Sequence, residues 1–224
     1  MSRDVSVTFV LLAYNEEGSI AAAVADCHAF AREHLRDHEV IVIDDGSRDR
    51  TRELAEAAGA RVIVHARNLG MGASMRDGYL AARMDYMAHL PGDRQVRAEA
   101  LREMVARAAP ERVVLSVFAN PPSGRSRAVM SVVFRALTRH VGGMRVSFAG
   151  TYLFHRDWLA RLPLARAASD TFLFSFQLLE LLRRAGATFE TVTVRTYPRE
   201  QGVSREATLG RIARMFVEIA RARV

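Results

Sequence analysis

Three short polar clusters stand where apolar runs end: Tyr14-Asn15-Glu16, Asp44-Asp45 and Asp93-Arg94-Gln95. Carboxylates and amides with no His or Cys cluster beside them suit a hard divalent cation such as Mg2+ or Mn2+, which takes oxygen ligands. Such a cation most often bridges a diphosphate, and arginines at the same place neutralise phosphate charge. The competing reading of Asp44 and Asp45 is that they only cap and turn. Gly46 and Ser47 break the preceding run, and Asp49 or Ser47 can cap a helix that starts near Thr51.

The elements that must position these clusters follow from the hydrophobic pattern. Val40-Ile41-Val42-Ile43 is β-branched throughout and reads as a strand buried on both faces, as in a parallel sheet. Val5 to Leu12, Arg61 to His65 and Asp85 to Leu90 read as three further strands. Helices are expected over Ile20 to Arg36, Thr51 to Ala58 (closed by Gly59) and from the glycine turn at 67–72 through Arg83. Strand and helix alternating at this spacing predict βαβ units and a mostly parallel sheet, in which the polar clusters share one edge. The second half is less regular. It predicts helices over Ala98 to Ala108, Arg125 to Val141, Phe172 to Ala185 and Leu209 to Val224. Strands are expected over Arg112 to Phe118, Met144 to His155 and Phe189 to Tyr197, and a loop at Asn120 to Gly124.

The 224 residues are 50% hydrophobic, enough for one domain with a large core, and no linker or repeat divides them. The net charge of +7 comes from arginine and suggests an anionic partner, although arginine and alanine enrichment also follows from genome composition. The one cysteine, Cys27, excludes a disulfide framework and a cysteine metal site, and fits a reducing cytosol. Met1-Ser2-Arg3-Asp4 runs straight into a strand and lacks a signal-peptide form, and no apolar run reaches bilayer-spanning length. His65, His89, His140 and His155 show no metal spacing and read as structural; Met71, Met75, Met84 and Met87 read as core. Arg125 to Val141 and Leu209 to Val224 are basic and amphipathic. Such helices pack on a sheet or lie on an anionic membrane surface.

Taken in order, the motifs resemble those of the family 2 glycosyltransferases of GT-A fold. Ala13-Tyr14-Asn15-Glu16-Glu17 resembles the family's opening P-x-Y-N-E segment, and Asp44 to Thr51 its D-D-G-S-x-D-x-T. Arg67-Asn68-Leu69-Gly70-Met71-Gly72-Ala73 resembles R-N-x-G-x-G-A, and Pro91 to Gln95 stands where D-A-D-G-Q is typical. Phe174 to Gly186 resembles the helix before the final strand, and Tyr197 to Arg205 carries an R-x-x-G-x-S-K-like segment. The likeness covers most of residues 5 to 205. It is nearest to the polyprenyl-phosphate sugar transferases, such as dolichyl-phosphate mannose synthases.

The resemblance implies a single GT-A-type α/β domain with a nucleotide-sugar-binding half (1–97), an acceptor half (98–206) and a C-terminal amphipathic helix (207–224). It implies nucleotide-sugar binding by Ala13, Tyr14, Asn15, Glu16, Asp44, Asp45, Gly46, Ser47, Asn68, Gly70 and Arg205. Tyr14 and Glu16 would line base and ribose, and Asp44 or Asp45 would hydrogen-bond the base. Asp93 would be catalytic as the ligand of Mg2+ or Mn2+, with Gln95 as a second metal ligand. Arg199, also catalytic, and Arg205 would meet phosphates. The partners implied are a UDP- or GDP-linked sugar and a polyprenyl phosphate or small-molecule acceptor, with peripheral membrane contact through 125–145 and a cytoplasmic or inner-face location; the sequence leaves the oligomeric state open, the C-terminal helix being a candidate homodimer face.

Several positions depart from the family pattern. Pro91 replaces the first acid of the metal motif, and Arg94 stands where glycine is common. Val146-Ser147-Phe148-Ala149-Gly150-Thr151-Tyr152 lacks the acid and arginine of the acceptor segment, and Ser175 and Gln177 stand where glutamates are frequent. Asp170 is the acid nearest that region. A phosphate acceptor needs no base, which accounts for the missing acid. A site rebuilt for a small-molecule or glycan acceptor, or loss of activity, would account for it as well. A sugar nucleotidyltransferase would carry a glycine- and arginine-rich N-terminal loop with a lysine, which Tyr14-Asn15-Glu16-Glu17 is not. A nucleic-acid binder would interleave aromatics with its arginines, and the basic helices here carry mostly aliphatic residues.

Overall fold

Val40, Ile41, Val42 and Ile43 are all buried, as a run of β-branched residues without polar alternation requires. They form the C-terminal part of a strand that lies second from one edge of the sheet, with helices packed on both of its faces. A computed structural model of the chain describes residues 4–119 and 150–198. Its strands are β1 (Ser6–Ala13), β2 (Asp37–Asp44), β3 (Arg61–Val64), β4 (Tyr86–Pro91), β5 (Arg112–Phe118), β6 (Tyr152–His155) and β7 (Thr188–Val194). The helices are α1 (Ile20–His34), α2 (Thr51–Ala57), α3 (Met71–Ala81), α4 (Arg102–Ala106), α5 (Asp157–Arg161) and α6 (Leu173–Arg184).

The seven strands make one sheet in the order β3-β2-β1-β4-β6-β5-β7. All pairings are parallel except those of β6, which runs against both β4 and β5. The chain winds from β1 outward through β2 and β3, then crosses to place β4 on the other flank of β1. That crossing makes the C-terminal ends of β1 and β4 the switch point at which open α/β sheets bind ligands. Register sets those ends level: Ala13 pairs with Asp44, and Leu12 with Pro91.

Strand alternation divides the core in two. Val7, Phe9 and Leu11 of β1, with Val40 and Val42 of β2, pack against α1 and the 3-10 turn Ala98–Leu101 that leads into α4. Val10, Ile41, Ile43, Leu115, Tyr152 and Phe154 pack on the opposite face with α3, α5 and α6. Gly78 lets α3 approach β1 closely, since a Cβ there would collide with Val10.

Most expected elements are present with ends moved by one or two residues. The expected helix over 98–108 is a 3-10 turn followed by a short α-helix ending at Ala106. Of the expected strand over 144–155, Tyr152–His155 is strand; Gly150 at φ +131 bends the chain just before it. The final strand ends at Val194, three residues short of the expected Tyr197. Helix α5 is not among the expected elements; its Trp158 is buried and donates from Nε1 to the Pro110 carbonyl at 2.8 Å. The loop at 120–124 and the helices over 125–141 and 209–224 lie outside the described residues, as do Met144 to Ala149.

Candidate functional site

The loops after β1, β2 and β4 leave the same sheet edge, and backbone–side-chain bonds lock them together. Asn15 has φ +54, and its N–H donates to Ser47 Oγ at 2.9 Å while its Oδ1 accepts from Arg48 N–H at 2.8 Å. Glu16 N–H donates to Thr51 Oγ1 at 2.8 Å, and Glu17 N–H to Asp49 Oδ2 at 3.2 Å. On the other side, Gly92 N–H donates to the Leu12 carbonyl at 2.8 Å, and Ser19 Oγ to the Gly92 carbonyl at 2.9 Å. Of the two candidate caps, Asp49 takes the Thr51 N–H at 3.0 Å, whereas Ser47 faces Asn15. Burial pushes the Asp49 carboxyl up, but the hydrogen bonds from Thr51 and Glu17 outweigh it and hold the group below its ordinary value.

The adjacent aspartates do different things. Alternation sends Asp44 toward the α1 side and Asp45 toward the α3 side. Asp44 is 2% exposed, and its carboxylate accepts from Ser47 N–H at Oδ1, at 2.9 Å. Asp45 accepts from Leu69 N–H at 2.8 Å and Gly70 N–H at 2.9 Å, and meets His65 Nδ1 at 2.7 Å. Its carboxylate therefore holds the 67–70 loop, which carries Asn68 and Gly70, against the end of β2. Gly46 has φ +76, and a Cβ there would lie 2.6 Å from the Arg67 carbonyl carbon, so glycine is needed where the two loops touch.

Asp93 follows β4, and its Oδ1 accepts from Gln95 N–H at 3.0 Å. Arg94 between them has φ +59, a conformation that glycine adopts without strain. Its guanidinium forms a two-pronged ion pair with Asp26 of α1, at 2.9 and 3.2 Å. Gln95 C=O accepts from Tyr197 N–H at 2.9 Å, and Arg97 lies 4.4 Å above the Tyr197 ring. The chain leading to Arg199 is thus fastened beside Asp93. Arg199 and Arg205 themselves lie outside the described residues.

Among the described residues no three His, Cys, Asp or Glu side chains converge as a metal cage. The side chains of Asp93 and Gln95 offer oxygen donors, which suit Mg2+ or Mn2+. In the second half of the chain, Asp170 pairs with Arg76 at 3.0 Å, and its carbonyl accepts Gly72 N–H at 2.9 Å. Gln177 Oε1 accepts from Ser169 N–H at 3.1 Å, and Ser175 is buried against Met75 Sδ. The structure thus brings together Ala13, Tyr14, Asn15, Glu16, Asp44, Asp45, Gly46, Ser47, Asn68, Gly70, Asp93 and Gln95 on one edge. Sequence reading missed His65, Asp77 and the clasp of Arg97 on Tyr197. For His65 the signal was present: it ends the third strand and so points to the same edge.

Comparison with known proteins gives a consistent assignment. The family model for glycosyl transferase family 2 matches residues 8–161. An undecaprenyl-phosphate 4-deoxy-4-formamido-L-arabinose transferase of Pseudomonas paraeruginosa is 35% identical over 109 residues, spanning 46% of this chain and 32% of that protein. A protein of the same name from Pseudomonas fluorescens is 26% identical over 219 residues, 94% of this chain and 62% of that one. The first of these alignments therefore covers about a third of its relative's length, and even the longer one leaves more than a third of that relative unmatched. Glucosyl-3-phosphoglycerate synthase from Mycobacterium tuberculosis superimposes with a TM-score of 0.70 at 21% identity, over 97% of this chain and 80% of that one.

Proposed function

The chain belongs to glycosyl transferase family 2, and from that premise we propose that it moves a sugar from a nucleotide-diphosphate sugar to a polyprenyl phosphate, with inversion. The observation that carries the donor half is the level ending of β1, β2 and β4, which puts Tyr14, Asp44 and Asp93 around one switch-point crevice. Asp44 takes the base, through the carboxylate oxygen not bonded to Ser47; Tyr14 and Glu16 line base and ribose. Asp93 and Gln95 would hold Mg2+ or Mn2+, which would supply electrostatic stabilisation of the departing nucleoside diphosphate. The solved M. tuberculosis protein was crystallised with Mn2+ and UDP, which supports a divalent cation in this reading. Arg199 and Arg205 are assigned to phosphates of donor or acceptor.

The acceptor assignment rests on the two relatives' names and on the acids described on that side. Asp170 is paired with Arg76, and Ser175 and Gln177 cannot take a proton from a hydroxyl. A phosphate monoester is already anionic and nucleophilic at neutral pH, so it attacks the anomeric carbon without a general base. The reaction then needs orientation and charge stabilisation alone, which the crevice can provide. We place the enzyme at a membrane surface, where such an acceptor resides; among the described residues no helix is long and apolar enough to cross a membrane.

The test is calorimetric titration of UDP and GDP, with and without Mn2+, into wild type and Asp93→Ala. Metal-dependent binding of one nucleotide, weakened about tenfold or more in the variant, supports the donor site. Binding of neither nucleotide overturns it. Transfer of label to a short-chain polyprenyl phosphate, set against transfer to free glycan acceptors, decides the acceptor; preference for the glycan overturns the lipid-phosphate reading.

A further inference from the structure

The sheet edge holds one group that the reading above does not use. His65 lies just past β3, is 8% exposed, and sits between two carboxylates: Nδ1 is 2.7 Å from Asp45 Oδ1 and Nε2 is 3.1 Å from Asp77 Oδ2. A carboxylate accepts hydrogen bonds and donates none, so the imidazole can bind either aspartate only as an N–H donor. Asp77 is on α3, at a half-exposed position, and Asp45 is 5% exposed at the end of β2. His65 therefore bridges α3 to the aspartate that grips Leu69 and Gly70.

We propose that His65, held by Asp77, is a positioning residue for nucleotide binding: it fixes the Asp45 carboxylate, and through it the 67–70 loop, against the base-binding end of β2. The inference rests on the donor-site reading above. Its physical basis is that Asp45 Oδ1 must serve both the Leu69 N–H and the imidazole. Without the ring donor, that oxygen is free to turn toward other donors or water, and the loop loses one side of its anchor. Gly46 packs on the Arg67 backbone with no room for adjustment, so a shift of the loop displaces the turn that carries Asp44 and Ser47. His65 touches no substrate in this scheme and acts through Asp45.

Two substitutions separate this role from simple core filling. In His65→Asn the amide nitrogen falls near the place of Nδ1 and still reaches Asp45. In His65→Gln it falls near the place of Nε2 and reaches Asp77 instead. The nucleotide that wild type binds is titrated into both variants, with thermal melting measured alongside. His65→Asn should bind within about threefold of wild type and His65→Gln about tenfold more weakly, a difference that equal melting temperatures would assign to positioning. Asp77→Ala, on the accessible side of α3, disturbs no core contact and should weaken binding about threefold to fivefold by freeing the ring. Equal affinity in both His65 variants, or unchanged affinity in Asp77→Ala, overturns the proposal. Failure of wild type to bind any nucleotide would instead overturn the donor-site reading itself.

Discussion

Asp44→Asn and Asp45→Asn, one residue apart, should fail in different ways. Asp45 accepts from Leu69 N–H, Gly70 N–H and the imidazole of His65. An asparagine has one acceptor oxygen. Placed to serve Leu69 and His65, it sets its NH2 against Gly70 N–H; turned the other way, it sets NH2 against Leu69 and the imidazole. Either orientation loses at least one charge-assisted bond and opposes two donors at a site that is 5% exposed. A lost bond to a charged acceptor and an unsatisfied donor together amount to about 2–4 kcal/mol. For a chain of this size that is a fall in melting temperature of about 5–15 °C. Asp44 is different: its protein partner is Ser47 N–H, which an amide oxygen accepts equally well. Removing a buried charge beside Asp45 should leave stability within about 1 kcal/mol of wild type, on the stabilising side, while nucleotide affinity falls about tenfold. Urea unfolding followed by circular dichroism, with calorimetric titration of the nucleotide, reads both quantities. Equal stability of the two variants, or Asp44→Asn being the less stable, would refute the division of labour.

Three further outcomes follow from the geometry. Desolvation pushes His89 down to about 4, against a pull upward from the Gly150 backbone, and Tyr79 Oη lies 2.7 Å from its Nδ1. The unfolded chain, titrating near 6.5, takes up a proton that the native state refuses. Stability is therefore intact above about pH 6.5 and declines by about 3 kcal/mol as pH falls toward 4. His89→Gln should flatten that decline in urea melts at pH 7, 5.5 and 4, and an unchanged slope would exclude His89 as its source. Gly72→Ala drives a Cβ into the backbone carbonyls of Ser169 and Thr171 and breaks the Gly72–Asp170 bond. It should cost about 2–4 kcal/mol in urea unfolding, despite the better helix propensity of alanine. At Arg94, φ is +59 and the side chain pairs with Asp26. Arg94→Ala loses the ion pair and keeps the backbone strain, so it should be about 1 kcal/mol less stable than Arg94→Gly in the same assay.

The parallel half of the fold was legible because burial on both faces leaves apolar runs, which mark the C-terminal parts of β1 and β2 directly, while β4, interrupted by His89, follows from its spacing. Their polar ends marked the site edge for the same reason. The roles within that edge were less legible. Motif order groups Asp44 with Asp45 and cannot tell which one is taken by neighbouring backbone; strand alternation could have done so, since adjacent residues face opposite sides. His65 looked like one of several scattered histidines, because its partners Asp45 and Asp77 are 20 and 12 residues away in sequence. The 3-10 start of α4 was not legible either, since AEALREMVA carries no breaker and its shape is set by packing of Ala98 and Leu101 under α1. Helix α5 is only five residues long and falls below any periodicity test.

The reversal of β6 has a consequence for how this protein can be altered. Because β5 runs with the central strands and β6 against them, the connection from 119 to 150 leaves and re-enters the sheet at the edge that carries Asp44 and Asp93. Both of its ends are clamped, by Ser116 N–H on the Thr151 carbonyl and by Ala119 N–H on the Val194 carbonyl. A segment fastened in this way is an exchangeable cassette. Grafting the matching stretch from a relative between Ala119 and Gly150 would exchange that connection while leaving every strand pairing of the described residues in place, which makes it a natural unit for building chimaeras.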